Sequence, residues 1–276
     1  MKTIRVAGAL LGITVLIAGL FWGNAPVRAA GPVEFDVSNC EVGGNSFNVI
    51  SADFNGDNEL DLAGTLPDDS KAFVVLGNGN GTFQAAATYA VGTAPQGITT
   101  GDFNGDSKLD LAVANSGSNN VSVLLGNGDG TFSAAPETPA VGTTPRDITS
   151  VRFNSDNNVD LAVVNAASDN VSILLGDGDG TFQTAYTLGT GNGPWGITAA
   201  DFNGDSKPEL AICNRASDNV SILKYSPGGV PVVNPLPSPG VGDSPQGIIT
   251  GDFNNDNKLD LAVANNASDN VSVLIG

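Results

Sequence analysis

Asp102, Asn104, Asp106 and Asp110 occupy the first, third, fifth and ninth positions of the stretch DFNGDSKLD. Gly105 sits where such a short loop must reverse. A calcium ion takes about six to eight oxygens, and a tightly wound loop that turns alternate side chains inward supplies most of them from one segment. The backbone carbonyl of Lys108, at the seventh position, is expected to add another. The opening D-x-N-x-D is that of an EF-hand loop, yet its twelfth residue is Val113 where that loop has a bidentate Glu, and both flanks read as strands. The chemistry expected is Ca2+ binding by hairpins of an all-β protein.

The stretch recurs as DFNGDNELD from Asp53, RFNSDNNVD from Arg152, DFNGDSKPE from Asp201 and DFNNDNKLD from Asp252. Steps of about 50 residues are the period of a propeller or solenoid. The ligands expected in the first copy are Asp53, Asn55, Asp57, the carbonyl of Glu59, and Asp61. In the last they are Asp252, Asn254, Asp256, the carbonyl of Lys258, and Asp260. The fourth copy offers Asp201, Asn203, Asp205, the carbonyl of Lys207, and Glu209, with Pro208 restricting Lys207. No metal is expected in the third copy, because the Arg152 guanidinium can pair with Asp156 or Asp160 where the ion would sit. An ordinary acidic turn needs one or two such residues, not four oxygens in one register four times over.

Each repeat carries short, evenly spaced strand signals. In the second these are GITTGDF (97–103), LDLAVAN (109–115), VSVLLG (121–126) and TFSAAPETPAV (131–141), which predicts a four-stranded antiparallel sheet. Glycines at 126, 128 and 130 mark a turn that demands positive φ. Leu109, Leu111 and Val113 fall on one face of their strand, Asp110, Ala112 and Ala114 on the other. Bulky faces against small ones suit sheets stacked face to face around a ring.

DFNGDSKLDLAV followed by NVSVLLGNGDGTF resembles the VCBS and FG-GAP repeats of integrin-like β-propellers, over nearly all of 31–276. The resemblance implies a calcium-stabilised propeller acting as an extracellular binding or adhesion module. Two readings of the ring stay open. The last repeat stops after VSVLIG and lacks a fourth strand, which PVEFDVSNC (32–40) would supply, closing five blades and removing both free edges. Alternatively the chain is part of a larger ring.

Lys2 and Arg5 precede an apolar run over 6–21, with Ala29 and Ala30 beyond it, which reads as a signal peptide over 1–29 and a propeller over 30–276. An uncleaved anchor is the other reading of that run. A secreted, periplasmic or cell-surface location is expected, with no membrane insertion after cleavage. The net charge of −18 becomes −21 on removal of Lys2, Arg5 and Arg28, leaving 29 acids against 8 bases. Such a surface repels phosphates, so nucleic acid is not an expected partner. Cys40 and Cys213 make no disulfide framework, and Cys213 reads as a packed thiol. The chain has no His and no G-x-S-x-G elbow, and its acids belong mostly to the loops, so no enzyme activity is expected.

The links between repeats read APQGI, TPRDI, GPWGI and SPQGI, varying Gln96, Arg146, Trp195 and Gln246 within a fixed frame. That variation suits a recognition face for a protein or carbohydrate, with Trp195 stacking on a sugar or anchoring a protein; plugging the central channel would use it equally well. A structural surface or matrix role is the alternative, or a non-catalytic domain of an enzyme. The N-V-S triplets at Asn120, Asn170, Asn219 and Asn270 fit glycosylation sequons but are read as strand starts. ILKYSPGGVPVVNPLPSPGVGD (222–243) replaces the glycine turn of the fourth repeat, predicting an irregular outer edge.

Overall fold

The computed structural model describes residues 39–224 and 238–276. Among these, the chain forms five antiparallel sheets, one per repeat. The first holds β1 (Val49–Ala52), β2 (Asp61–Leu66), β3 (Lys71–Val75) and β4 (Ala87–Ala90). The second holds β5 (Pro95–Gly101), β6 (Asp110–Asn115), β7 (Asn120–Gly126) and β8 (Phe132–Ala134), and the third β9 (Pro145–Val151), β10 (Asp160–Asn165), β11 (Asn170–Leu174) and β12 (Tyr186–Gly189). Three strands each make the fourth sheet, β13 (Pro194–Ala200), β14 (Glu209–Asn214) and β15 (Asn219–Leu223), and the fifth, β16 (Pro245–Gly251), β17 (Asp260–Asn265) and β18 (Asn270–Leu274).

Every residue of β6 is buried, because sheets cover both of its faces. Leu109, Leu111 and Val113 pack toward the first sheet, Ala112 and Ala114 toward the third, as the alternation predicts. The first strands of successive repeats lie side by side, β5 on β9, β9 on β13 and β13 on β16. They approach so closely that a Cβ at Gly97 would stand 2.7 Å from Asp147 Cα, and one at Gly196 2.6 Å from the Gln246 carbonyl oxygen. That is why the links read Q-G-I and W-G-I.

The glycine turns have a second task. Gly130, at φ +83°, donates its N–H to the Phe54 carbonyl of the preceding repeat at 3.2 Å, and Gly180 to that of Phe103 at 2.9 Å. Beside these bonds Phe54 meets Phe132, and Phe103 meets Phe182, edge to face with centroids 5.7 Å apart. The Phe of the first and second D-F-N and the Phe of the next G-T-F thus form inter-repeat pairs.

Cys213 is a buried free thiol, accepting the Gly196 N–H, and burial pushes it up to about 11. The four N-V-S asparagines start strands, and their side chains accept from Asn115, Asn165, Asn214 and Asn265. Residues 225–237, the greater part of the irregular edge expected in the fourth repeat, lie outside the described residues, as do the leader over 1–29 and 32–38 of the closing strand.

Asn39 and Cys40 lie against the first sheet, where Cys40 and Val42 pack with Leu66, Phe73 and Val75. Among the described residues no strand pairs with the outer edge of β18. The fifth sheet also leaves one face uncovered: Val271 is 62% exposed, whereas its counterpart in the second repeat, Val121, is fully buried. No helix among the described residues is long and apolar enough to cross a membrane.

Candidate functional site

The repeated loops share one hydrogen-bond scaffold. Asp102 Oδ1 accepts the Gly105 N–H at 2.7 Å and its Oδ2 the Ser107 N–H at 2.9 Å. Asn104 Oδ1 accepts from the Asp106 amide and Asp106 Oδ1 from the Lys108 amide, both at 3.0 Å. Asp53 and Asp201 repeat the first pattern, and Asp252 accepts the Asn257 N–H at 2.9 Å. The sixth residue is left-handed in every copy, with φ between 65° and 69° at Asn58, Ser107, Asn157, Ser206 and Asn257. Loss of water pulls the Asp53 and Asp201 carboxyls upward, but the amides around each together hold them below their ordinary value. The Lys258 amide, first among the causes, holds Asp256 low.

The ninth residue lies beneath its loop. Asp110 is fully buried, its Oδ2 accepting the Phe103 N–H at 2.8 Å and its Oδ1 the Gly126 N–H at 2.7 Å. Asp61, Asp160 and Asp260 make the same pair of bonds. Glu209 accepts the Phe202 N–H at 3.0 Å and the Asn203 side-chain amide. Burial raises Asp110, Asp160 and Glu209.

Among the described residues no three acidic side chains gather into a metal cluster. The donors are nevertheless all oxygen; Asp102 Oδ1 accepts two amides, but Asp102 Oδ2, Asn104 Oδ1 and Asp106 Oδ1 each accept one and keep a second lone pair, so the set suits a hard cation in kind. Asp102, Asn104, Asp106 and the Lys108 carbonyl would hold it, with Asp110 below; the ion would supply charge to offset the carboxylates. Arg152 differs from the sequence expectation. Its Nε donates to the Asn157 carbonyl at 3.0 Å, and it forms no ion pair with Asp156 or Asp160. The guanidinium spans the loop and takes a backbone oxygen.

At the other end of the sheets lies a second constellation. Pro95 pairs with Asn115 and Gly101 with Asp110, so links and acidic loops occupy opposite ends. The links border a pocket of about 560 Å³, lined by Arg146, Asp147, Trp195 and Gln246, by Phe47 and Asn48 of the first repeat, and by Ile249 and Val271 of the fifth. Gln96 stands behind it, 7% exposed, accepting from Arg146 Nη1 at 3.2 Å. The Arg146 guanidinium lies 4.4 Å from the Trp195 ring centroid and that of Arg215 4.6 Å.

Two of these residues escaped the sequence reading. Asp147 stands where other links carry Gly97, Gly196 and Gly247, and that substitution beside Arg146 was the available signal. Its Oδ1 accepts the Ile148 N–H at 2.9 Å and its Oδ2 the Ile197 N–H at 3.1 Å, joining the third and fourth sheets. Arg215 follows a strand end, and no spacing marks it.

A model of the FG-GAP-like repeat matches residues 53–113, 102–162 and 152–212, together more than half of the 276-residue chain. The chain belongs to the FG-GAP-like repeat family. No curated protein matches this FG-GAP chain. Among solved structures it resembles a candidate 6-phosphogluconolactonase from Bacteroides fragilis (TM-score 0.60, 16% identity, 77% of this chain and 62% of that one). It also resembles the periplasmic gluconolactonase of Pseudomonas aeruginosa (0.55, 18%, 74% and 56%) and a protein of unknown function from Desulfotomaculum acetoxidans (0.60, 12%, 85% and 70%). The FG-GAP chain spans about three fifths of the length of the first two.

At these identities the likeness lies in the fold, and it corrects the expectation that the chain is not an enzyme. Two of the neighbours are described as lactonases, so the fold itself gives no ground for excluding catalysis. The pocket of the FG-GAP chain also holds the Asp147 carboxyl, which burial pushes up to about 6 against the pull of its two amides. Its ionised form is the costly one in the folded protein. Its contribution to stability is therefore full below about pH 3.8 and lost as pH rises through about 6. In EDTA, urea unfolding should show stability falling by about 1–3 kcal/mol between pH 4 and 7. Asp147→Asn should flatten that slope; an equal slope in the variant would assign it elsewhere.

Proposed function

We propose that the chain is an exported, calcium-stabilised β-propeller, an extracellular binding module that holds a protein or glycan ligand in its axial pocket. One observation carries this reading: links from the third, fourth and fifth repeats deliver Arg146, Trp195 and Gln246 to one hollow on a rigid frame. Calcium is supported by the all-oxygen loops, and export by Lys2, Arg5, the apolar run and the small residues after it.

The ring is read as five blades. Phe47 and Asn48 of the first repeat line the same pocket as Ile249 and Val271 of the fifth, so the two ends of the array face each other across it. Closure there would cover Val271, Val273 and Ile275, which are now more than half exposed.

An array of glycans and extracellular matrix proteins, probed with the calcium-loaded protein, tests the binding assignment. At least one ligand should bind, and Trp195→Ala should weaken it about tenfold, on the order expected for an anchoring aromatic. Ligands bound equally well by that variant would move the site off the axis.

A further inference from the structure

We infer that the pocket assigned above to the ligand takes a small apolar zwitterion, with its ammonium on Asp147, its carboxylate on Arg146 and its apolar body against the fifth sheet; the inference rests on that assignment. A free apolar amino acid and a short apolar peptide share this chemistry. Both charged side chains line the one hollow. Consecutive residues of a regular strand face opposite ways. Here β9 slips register, Asp147 pairing with Val164 and Pro145 with Asn165, which leaves Arg146 as an extra residue. Such a bulge re-aims a side chain, so that neighbours in sequence reach the same hollow. Among the four links only that of the third repeat carries this pair, since Gly97, Gly196 and Gly247 stand at the position of Asp147.

Opposite charges lining one pocket would ordinarily pair, and these do not: among the described residues the one ion pair is Lys108 with Asp106. Arg146 donates Nη1 to Gln96 Oε1 and rests on the Trp195 ring, and its Nε is buried without a partner. Asp147 accepts the Ile148 amide on one oxygen and the Ile197 amide on the other, so each oxygen keeps a lone pair. Burial pulls Arg146 down, the charge of Arg215 adding to it, and pushes Asp147 up against its two amides alone. Each charge is thus desolvated without help from the other, and a ligand of both signs supplies the missing partners. Arg215 takes no part, since it lines a separate hollow with Gly193 and Ser244. A neutral sugar would neutralise neither charge and would set hydroxyls against the apolar wall of Ile249, Ala262, Ala264 and Val271. An aliphatic side chain fits that wall, and a volume of about 560 Å³ suits a ligand of this size. Around Asp147, β5 brings Gln96, β13 Trp195, β16 Gln246 and β14 the Cys213 thiol, which is pushed up to about 11 and is neutral. Arg146 is the other charged residue of the lining, so between pH 5 and 7.5 the pocket titrates at the Asp147 carboxyl.

Isothermal titration calorimetry of the full chain with calcium at pH 7.5 tests this with L-leucine and L-leucyl-L-leucine. At least one should bind saturably, and the tighter of the two tells an amino acid from a peptide. Its N-acetyl derivative, which lacks the ammonium, and its carboxamide, which lacks the carboxylate, should each bind at least about tenfold more weakly. At pH 5 about nine in ten Asp147 carboxyls carry a proton that the ammonium must displace, so affinity should fall about tenfold. Asp147→Asn should weaken binding and abolish that pH dependence, whereas Arg146→Ala should weaken it about tenfold and keep the dependence. Circular dichroism and melting of each variant establish that it is folded, and the blocked ligands test the same two contacts in the unaltered chain. No saturable binding of either zwitterion, blocked derivatives that bind as well as the parent, or equal affinity at the two pH values would overturn the inference. Glycan or protein ligands that depend on Trp195, with no zwitterion bound, would overturn it while leaving the pocket as the ligand site. Ligands indifferent to Trp195 would remove both.

Discussion

Stripping divalent ions should lower the melting temperature by about 10–15 °C. Four loops present the full oxygen set, and extracellular calcium modules bind at about 0.1–1 mM, so each loaded loop adds about 1 kcal/mol in millimolar calcium. For a domain of this size each kcal/mol moves the midpoint by about 2–4 °C. The expected gain has a physical source: Asp102, Asn104 and Asp106 already accept the amides that wind the loop, so little chain entropy remains to be lost when an ion enters. Calorimetry with calcium and with EDTA measures the shift. Asp106→Ala should remove about a quarter of it, and Arg152→Asp, by restoring the first ligand of the third loop, should add about as much. A midpoint indifferent to chelation would sink the calcium assignment.

Asp110→Ala should cost about 3–5 kcal/mol, and nearly as much in EDTA as in calcium. The carboxylate is fully buried and accepts two backbone amides that have no substitute once it is gone, each worth about 1.5–3 kcal/mol when charge-assisted. In the third repeat Asp160 makes the same two bonds at 2.7 and 2.9 Å although Arg152 stands in the first ligand's place. The contact is therefore a staple between the loop and the end of the third strand, whatever role it has toward an ion. Urea titration of the variant in EDTA decides the matter: a cost below about 1 kcal/mol there would mean that the ninth carboxylate acts only through calcium.

The loops were legible in the sequence because a ligand register is a local property. Side chains two residues apart share one side of a tight turn wherever that turn is placed, and five copies at one period leave little doubt about what repeats. The strands of the second repeat were equally legible, since alternation of Leu111 and Val113 with Ala112 and Ala114 already names the two neighbours that β6 must have. Arg152 was legible only in part. Its presence marked a different loop, but its partner proved to be the Asn157 carbonyl, a choice made by reach and angle that no spacing encodes.

The axial pocket was less visible. Gln96, Arg146, Trp195 and Gln246 stood out because they vary in a constant frame, yet their neighbour Asp147 and the more distant Arg215 did not. Catalysis was discounted from residue types alone, which ignores how far burial can move a carboxyl that lines a hollow.

By itself the sequence determined the repeat, its strand order, the composition of each acidic bend and the faces that must meet. All of these follow from periodicity along one stretch of chain. Only the tertiary structure decided which residues from repeats about 50 positions apart share one pocket, that two guanidiniums settle on one indole, and that the ninth Asp of four bends is a buried staple. Those outcomes depend on the spacing between stacked sheets, which is fixed when small faces such as Gly97 and Gly196 let neighbouring strands approach, and on the desolvation that follows.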